Sequence, residues 1–344
     1  MQRRKFLQLS GVTSGSLLLG VTSATAATDS TTKYPDPEGP VTYYTEMRVP
    51  PPEKQNVIDA VNTLKTDLQS TAGYLSLSFK QTIGESTMGR GYPNERKGWI
   101  AEGYAKTDGT LASNKVPYFY VMFVRFDSYA DLKISGIQQW FQDNIVPSLF
   151  AYKVENGAPV KTPIALDYHE GVYTTVGAAD RENGYMTQEE IRTYLSSKQV
   201  DEVSLGCVSV NNHYMIMDET HQAHYDALRA NLDSNTRSIF RPIEGDAGYD
   251  ASNPDWVANG QPAAENNSFF RKAYTREILQ NAFPSGDKRN YLMHGTWETI
   301  MDHENSHLDP RFTAGAGKIK AYMLALPVEP FYITHIQDKY VGQN

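Results

Sequence analysis

The stretch Val116-Pro-Tyr-Phe-Tyr-Val-Met-Phe-Val-Arg-Phe126 decides the fold of this chain. Nearly every residue in it is aromatic or aliphatic, which predicts a strand buried on both faces. Residues 128–149 follow with apolar side chains at helical spacing: Leu132, Ile134, Ile137, Trp140 and Phe141. The two segments together predict a strand followed directly by an amphipathic helix.

The segments before and after this pair complete one unit. The sequence predicts a strand at 41–49, a helix at 53–70, a second strand at 74–79 and, after the pair, a strand around 164–176. A polar insertion at about 84–115 separates the second strand from the third. The resulting order, β-α-β-β-α-β, predicts a ferredoxin-like unit over residues 41–180.

A second unit of similar order is predicted over 201–344, after a linking helix within 187–200. Its segments are a strand at 204–217, a helix at 219–239, an insertion at 241–288, a strand at 291–300, a short helix at 301–308 and a strand at 327–336. Two such units can pair their sheets into a closed barrel and so remove exposed sheet edges. We therefore expect an α+β fold, in which two fused ferredoxin-like (βαββαβ) units pair as an intrachain α/β barrel.

Composition excludes several classes of protein. Hydrophobic residues make up 40% of the chain and charged residues 21%, which excludes a disordered or collagen-like chain. The formal net charge of −8 argues against a nucleic-acid partner. After the N-terminal segment the sequence contains no run of 18 apolar residues, so it predicts no membrane span. Cys207 is the only cysteine, so no intrachain disulfide is possible.

The first 26 residues have the pattern of an export signal. Arg3-Arg4-Lys5 precedes a weakly apolar stretch, and Ala24-Thr25-Ala26 fits a cleavage site. This pattern resembles a twin-arginine signal, with the export machinery as a partner; the alternative is an ordinary secretory signal with a chance arginine pair. A flexible leader at 27–40 follows. We expect the mature protein to be periplasmic or secreted.

The segment 297–312 carries a family resemblance. Trp297-Glu298, a helix starting at Asp302, and His307-Leu-Asp-Pro-Arg-Phe312 resemble the antibiotic-biosynthesis-type monooxygenases, which form dimeric α/β barrels. The resemblance implies that residues 204–337 form such a domain, with a pocket between sheet and helices. It leaves the cofactor open, because the family includes cofactor-free oxygenases and haem-degrading enzymes. The haem-ligating histidine of the latter would fall at position 317, which is Gly317 here.

Seven of the eight histidines lie in the second unit, which favours that unit as the chemical half. We expect His307, His294 and Trp297 to line the site, with a histidine as general base or axial ligand. His294 and Trp297 lie three apart on one strand and therefore point to opposite faces of the sheet. His213 and His335, on two other strands, are predicted to bind a cofactor, with haem as one possibility.

His303-Glu304-Asn-Ser-His307 also matches the His-Glu-x-x-His pattern of zinc sites. The segment is polar and meets Pro310, which leaves room for little more than two helical turns. We therefore expect no zinc-protease site. His303 stands between two carboxylates and is predicted to be solvated, whereas His307 is predicted to face the pocket. His221 and His224, three apart on the helix at 219–239, are interpreted as part of a solvated face.

Two functions remain open at this point. The first is an exported monooxygenase-like oxidoreductase that acts on or binds an aromatic or haem-like small molecule, since 22 tyrosines could line such a pocket. The second is a non-catalytic periplasmic protein that binds a ligand or a partner. A histidine-ligated metal enzyme is a lesser alternative.

Overall fold

The computed structural model of the protein describes residues 34–85, 117–156, 158–180, 184–186, 189–191, 208–228, 273–284, 286–297, 300, 303, 317–325, 327 and 329–339. The export signal, the first part of the leader, Cys207, most of the linking helix and the segment 304–316 lie outside these residues. His307 is therefore outside them too, and its predicted role stays a prediction.

The first unit contains the elements that its sequence predicts, together with an additional hairpin. Its barrel strands and helices are β1 (Val41–Val49), α1 (Lys54–Leu68), β2 (Tyr74–Glu85), β3 (Tyr118–Phe126), α2 (Tyr129–Ser135), α3 (Ile137–Asn144) and β6 (Tyr168–Asp180). The hairpin of β4 (Phe150–Glu155) and β5 (Ala158–Ala165) lies between α3 and β6, and the short β7 (Gly184–Tyr185) follows β6.

The predicted helix at 128–149 is in fact two helices. Ser128 caps α2 by accepting a hydrogen bond from the backbone N–H of Asp131. Gly136 then adopts a left-handed conformation with φ of 67° and ends the helix, as glycine commonly does. The apolar period continues across this break, which explains why the sequence pattern reads as one helix.

The second unit contributes four barrel strands: β8 (Val208–Met217), β9 (Ala273–Asn281), β10 (Lys288–Trp297) and β11 (Pro330–Lys339). Residues 221–228 and 317–320 are helical. The strand β9 is a correction, because the sequence reading assigned residues 241–288 to an insertion. With β9 included, the second unit has the four strands that a ferredoxin-like unit requires.

Both units have the same strand order. The first reads β6-β1-β3-β2 and the second β11-β8-β10-β9, so that within each unit the fourth strand lies beside the first. The second strand of each unit pairs with the fourth strand of the other, β2 with β11 and β9 with β6. These antiparallel pairings close an eight-stranded barrel. The predicted fold class, two fused ferredoxin-like units in one α/β barrel, is confirmed.

Helices cover the outside of the barrel. The buried residues of α1, Val57, Val61, Leu64 and Leu68, recur every three or four positions and face the sheet. They pack with outward-facing strand residues such as Tyr43, Phe79 and Met122 in the largest apolar cluster. The largest apolar core therefore lies between the helices and the outer face of the barrel. None of the described helices is long and apolar enough to cross a membrane.

Candidate active site

Alternate residues of the barrel strands point to the barrel interior, because successive side chains of a strand point to opposite faces. A buried apolar layer there is formed by residues of both units: Tyr44, Val121, Phe123, Tyr173, Leu279, Leu292 and Tyr332. Polar side chains occupy other interior positions. Burying them costs free energy unless they are hydrogen-bonded, so their partners identify what they can do.

Lys80, Ser209 and His294 form one polar group, called the lysine group below. Lys80 is 1% exposed, and its Nζ lies 2.8 Å from Ser209 Oγ and 3.1 Å from Nε2 of His294. A lysine ammonium only donates, so Nε2 accepts and the ring proton of His294 lies on Nδ1. The imidazole also lies 4.8 Å from the ring of Phe123, measured between centroids.

A buried ion pair adjoins the lysine group. Arg125 Nη2 donates to Glu277 Oε2 over 2.7 Å, and both side chains are at most 2% exposed. Thr175 donates its hydroxyl proton to the other carboxylate oxygen. Nδ1 of His294 lies 4.0 Å from Glu277 Oε2, so the protonated ring nitrogen faces a carboxylate. These contacts join strands of both units and fix the tautomer of His294.

The second polar group consists of His213 and Glu46, called the dyad below. His213 Nε2 lies 2.9 Å from Glu46 Oε1, and the hydroxyl of Tyr44 donates to the same oxygen over 2.6 Å. The side chain of His213 is 23% exposed and that of Glu46 12%, so solvent reaches this part of the barrel. Within the described chain, no residue hydrogen-bonds the other ring nitrogen of His213, Nδ1.

The pKa of Glu46 shows that the dyad carboxylate is ionised near neutral pH. Burial by itself would raise this pKa, but the charge and hydrogen bond of His213, together with His169 and the Tyr44 hydroxyl, hold it at about 2. An ionised carboxylate only accepts, so the hydrogen on Nε2 of His213 faces Glu46. In the neutral form of the ring with that tautomer, the lone pair lies on Nδ1. This arrangement is that of a general base oriented by a carboxylate.

A tyrosine–histidine pair lies beside the dyad. The Tyr173 hydroxyl lies 3.0 Å from Nε2 of His169, and burial, with the charge of Glu46, raises the pKa of this phenol. Burial lowers the pKa of His169, although Glu46 opposes that shift. Between the two residues, a Cβ at Gly171 would come within 2.9 Å of the Tyr173 ring, so the hydrogen-bonded pair requires a glycine there.

Asn211 connects the two groups. Its Nδ2 lies 3.5 Å from the Tyr44 hydroxyl, on the side of the dyad, and the residue itself faces His294 across the β8–β10 ladder. His213 follows two positions later on β8, which corresponds to roughly 7 Å along the strand. The dyad and the lysine group therefore lie within the length of one small aromatic molecule.

Of the four predicted site residues that the structure describes, it brings two into the barrel interior and places the other two, Trp297 and His335, outside it. His294 and His213 point into the barrel. Trp297 packs outside the barrel with Val208, Val210 and Phe331, which confirms that it and His294 occupy opposite faces and places it away from the interior groups. The ring of His335 packs against that of Tyr120 on the helix-covered side, with 6.0 Å between the ring centroids. His335 therefore does not contact the interior polar groups either.

The expectation that His303 is solvated is wrong. Its side chain is 4% exposed and packs edge-on against two rings, with centroid distances of 5.2 Å to Trp297 and 5.3 Å to Phe331. The neighbouring carboxylates suggested a solvated helix start, but the apolar cluster outside β10 and β11 covers this position. The described residues contain no group of three or more histidine, cysteine or carboxylate side chains arranged to hold a metal ion.

The interior histidine that was predicted to be catalytic does not fit a haem iron. Both ring nitrogens of His294 face protein groups, Lys80 at one and Glu277 at the other, and its side chain has no exposed surface. An axial ligand needs a nitrogen lone pair directed at the iron. Nε2 already uses its lone pair for Lys80, so we assign no haem role to this residue.

His224 is likewise buried, not solvated as interpreted from the sequence. Its Nε2 lies 3.1 Å from the Tyr214 hydroxyl, and the centroid of its ring lies 4.4 Å from the ring centroid of Tyr291. Burial, with a smaller contribution from the charge of His221, lowers its pKa to about 4. This environment belongs to the apolar core between the second unit's sheet and helices, outside the barrel interior.

This pKa predicts a loss of stability in acid. Between pH 6.5 and 4 the unfolded chain protonates His224 and the folded chain does not, so stability falls as the pH falls, by about 2–3 kcal/mol from this residue. Urea unfolding at pH 7.5 and 4.5 should show that His224→Gln, which keeps an acceptor for Tyr214, removes this part of the loss. His221→Gln is the control, with a smaller effect because its imidazole is partly exposed. An equal acid loss in wild type and His224→Gln would contradict the assignment.

The protein is therefore a closed α/β barrel of two ferredoxin-like units, with a histidine–carboxylate dyad inside the barrel. Residues 40–131 match the model of the ABM-like domain, the antibiotic-biosynthesis-monooxygenase fold. Residues 176–335 match the CT0912-like C-terminal domain. The resemblance that the 297–312 motif suggested is thus found in the first unit, whereas the second unit matches a different domain model.

Solved structures of similar shape cover most of the chain at low identity. An anthrone oxidase-like protein is 10% identical with a TM-score of 0.48, over 89% of this chain and 95% of the other. A candidate monooxygenase from Fusobacterium nucleatum is 8% identical with a TM-score of 0.47, over 89% and 96%. A dye-decolorizing protein from V. cholerae is 12% identical with a TM-score of 0.41, over 87% and 95%. A comparison with curated proteins found no match.

Proposed function

We propose that this protein is a monooxygenase-like oxidoreductase that acts on an aromatic small molecule inside the barrel, with His213 as the general base. The observation that carries the proposal is the dyad: Nε2 of His213 is held by an ionised Glu46 at 2.9 Å, and Nδ1 is available to a ligand. The ABM-like domain of the first unit, which supplies Glu46, supports the same class of chemistry.

The dyad can activate an aromatic molecule for reaction with dioxygen. Nδ1 removes an acidic proton from the ligand, and the imidazolium that forms is stabilised by the carboxylate of Glu46. The deprotonated ligand is electron-rich and can be oxidised by dioxygen. In this proposal the chain itself binds and orients the ligand and moves the proton, while dioxygen is the oxidant.

Anthrone is a suitable probe, because its methylene protons are acidic and its oxidation changes the absorption spectrum. One anthrone and one dioxygen give one anthraquinone and one water, so oxygen uptake and absorbance report the same reaction. We expect purified protein to accelerate both in proportion to its concentration. Binding of anthrone without oxygen uptake would instead favour the non-catalytic ligand-binding alternative.

We further propose that the protein is exported by the twin-arginine route and works in the periplasm or outside the cell. Replacing Arg3 and Arg4 together by lysine should leave unprocessed precursor in the cytoplasm, because this route depends on the arginine pair. Fractionation of cells and immunoblotting for the mature chain measure the outcome. Undiminished processing of the double variant would refute this route and leave an ordinary secretory signal.

A further inference from the structure

Three buried polar atoms in the barrel interior mark a second binding position. Within the described chain, no residue hydrogen-bonds Oδ1 of Asn211, Oγ1 of Thr296 or Oγ1 of Thr82. These side chains are 0%, 3% and 3% exposed, respectively. Each such atom costs roughly 1–3 kcal/mol when nothing satisfies it, and several of them close together require an explanation.

Sheet register places the three atoms around the lysine group. Thr296 faces Ser209 across the β8–β10 ladder, and Asn211 faces His294 one interior position further along β8. Thr82 follows Lys80 by two positions on β2 and therefore lies on the same interior face. Facing side chains of a ladder are roughly 5 Å apart at Cβ.

We infer that this part of the barrel is a subsite for the oxyanion of an aromatic ligand, a carboxylate or phenolate. The ammonium of Lys80 and the hydroxyls of Thr82 and Thr296 supply donors, and charge-assisted hydrogen bonds of this kind are the strongest available. Oδ1 of Asn211 is an acceptor and fits a ring hydroxyl of the same ligand. Such a ligand has its acidic group at the lysine group and extends towards His213.

This inference deepens the proposed function and rests on it for the location of the ligand in the barrel. It defines the substrate class as hydroxylated aromatic acids or acidic phenols. It also gives the lysine group a role in affinity and orientation, whereas the dyad acts on the proton. Binding and turnover can therefore fail independently of each other.

Isothermal titration with 3-hydroxybenzoate and its neutral analogue 3-hydroxybenzamide tests the subsite. We expect the wild-type protein to bind the acid at least tenfold more tightly than the amide. Lys80→Met should abolish this preference by weakening the acid about 10- to 100-fold, as expected for loss of a charged donor. Lys133→Met, at an exposed lysine that binds Asp36, is the control and should leave both affinities unchanged.

Thr296→Val provides a second variant, in case removal of a buried lysine impairs folding. Its hydroxyl has no described protein partner, so the variant should keep its unfolding free energy and weaken the acid about 2- to 10-fold. The titration measures binding alone, so a failed turnover assay would leave the subsite standing. Equal binding of acid and amide by the wild type, or no binding of the acid, would overturn the inference.

Discussion

His213→Gln should lower the rate of anthrone oxidation by two to four orders of magnitude, with little change in the KM. General base catalysis contributes roughly 10²–10⁴-fold, and glutamine keeps a donor for Glu46 but has no basic nitrogen in place of Nδ1. Glu46→Gln should lower the rate less, since it removes the orientation and charge that assist the base but leaves the imidazole. Oxygen uptake and anthraquinone absorbance, measured against protein concentration, report both variants.

The control for this prediction is His221→Gln, because that histidine lies on the helix outside the barrel and contacts neither polar group. It should turn over at the wild-type rate. A His213→Gln protein that is folded and equally active would remove the dyad from the mechanism. Loss of activity in both variants alike would point to a general effect of histidine replacement, which contradicts the site proposed at His213.

The second large effect is expected at the buried ion pair. Glu277→Gln should destabilise the folded protein by about 3–5 kcal/mol, because it leaves the guanidinium of Arg125 in the barrel interior without the carboxylate at 2.7 Å. The double variant Arg125→Met with Glu277→Gln should recover much of that loss, because it removes both charges of the pair and leaves neither one buried alone. Urea unfolding of the single and double variants measures the difference.

Asp36→Asn is the matched control for ion-pair loss. The Lys133–Asp36 pair has a similar length, 2.9 Å, but its side chains are 49% and 60% exposed, and exposed pairs contribute about 0–1 kcal/mol. An equally small effect of Glu277→Gln would show that solvent reaches the barrel interior and would contradict the buried pair.

The sequence predicts the fold well where helices cover the strands. Strand β1 was predicted at its observed bounds, Val41–Val49, and α1 within two residues, because apolar residues at strand or helix spacing face one another there. Strand β9 was missed because several of its residues are polar, including Glu277 at an interior position. Glu277 is paired with Arg125 of the other unit, and a polar strand of this kind looks like part of an insertion when its partner is not known.

The candidate site was predictable only in part for a similar reason. The uneven distribution of histidines placed His213 and His294 among the predicted site residues, but the same reasoning also selected Trp297 and His335, which lie outside the barrel interior. Glu46, Lys80 and Asn211 carried no local signal, because their roles arise from contacts between strands of different units that lie far apart in the chain. A charged residue alternating with apolar ones in a strand normally faces solvent, and only the closure of the barrel turns these side chains inward.

Exchange of the methylene hydrogens of anthrone with solvent, measured by NMR without oxygen, tests the central claim most directly. It follows proton removal alone and does not depend on any later oxidation. Deuterated anthrone should lose its label in light water faster with wild-type protein than in buffer, and the acceleration should disappear in His213→Gln but persist in His221→Gln. Exchange at the buffer rate with wild-type protein, or equal acceleration by His213→Gln, would contradict a general base at His213.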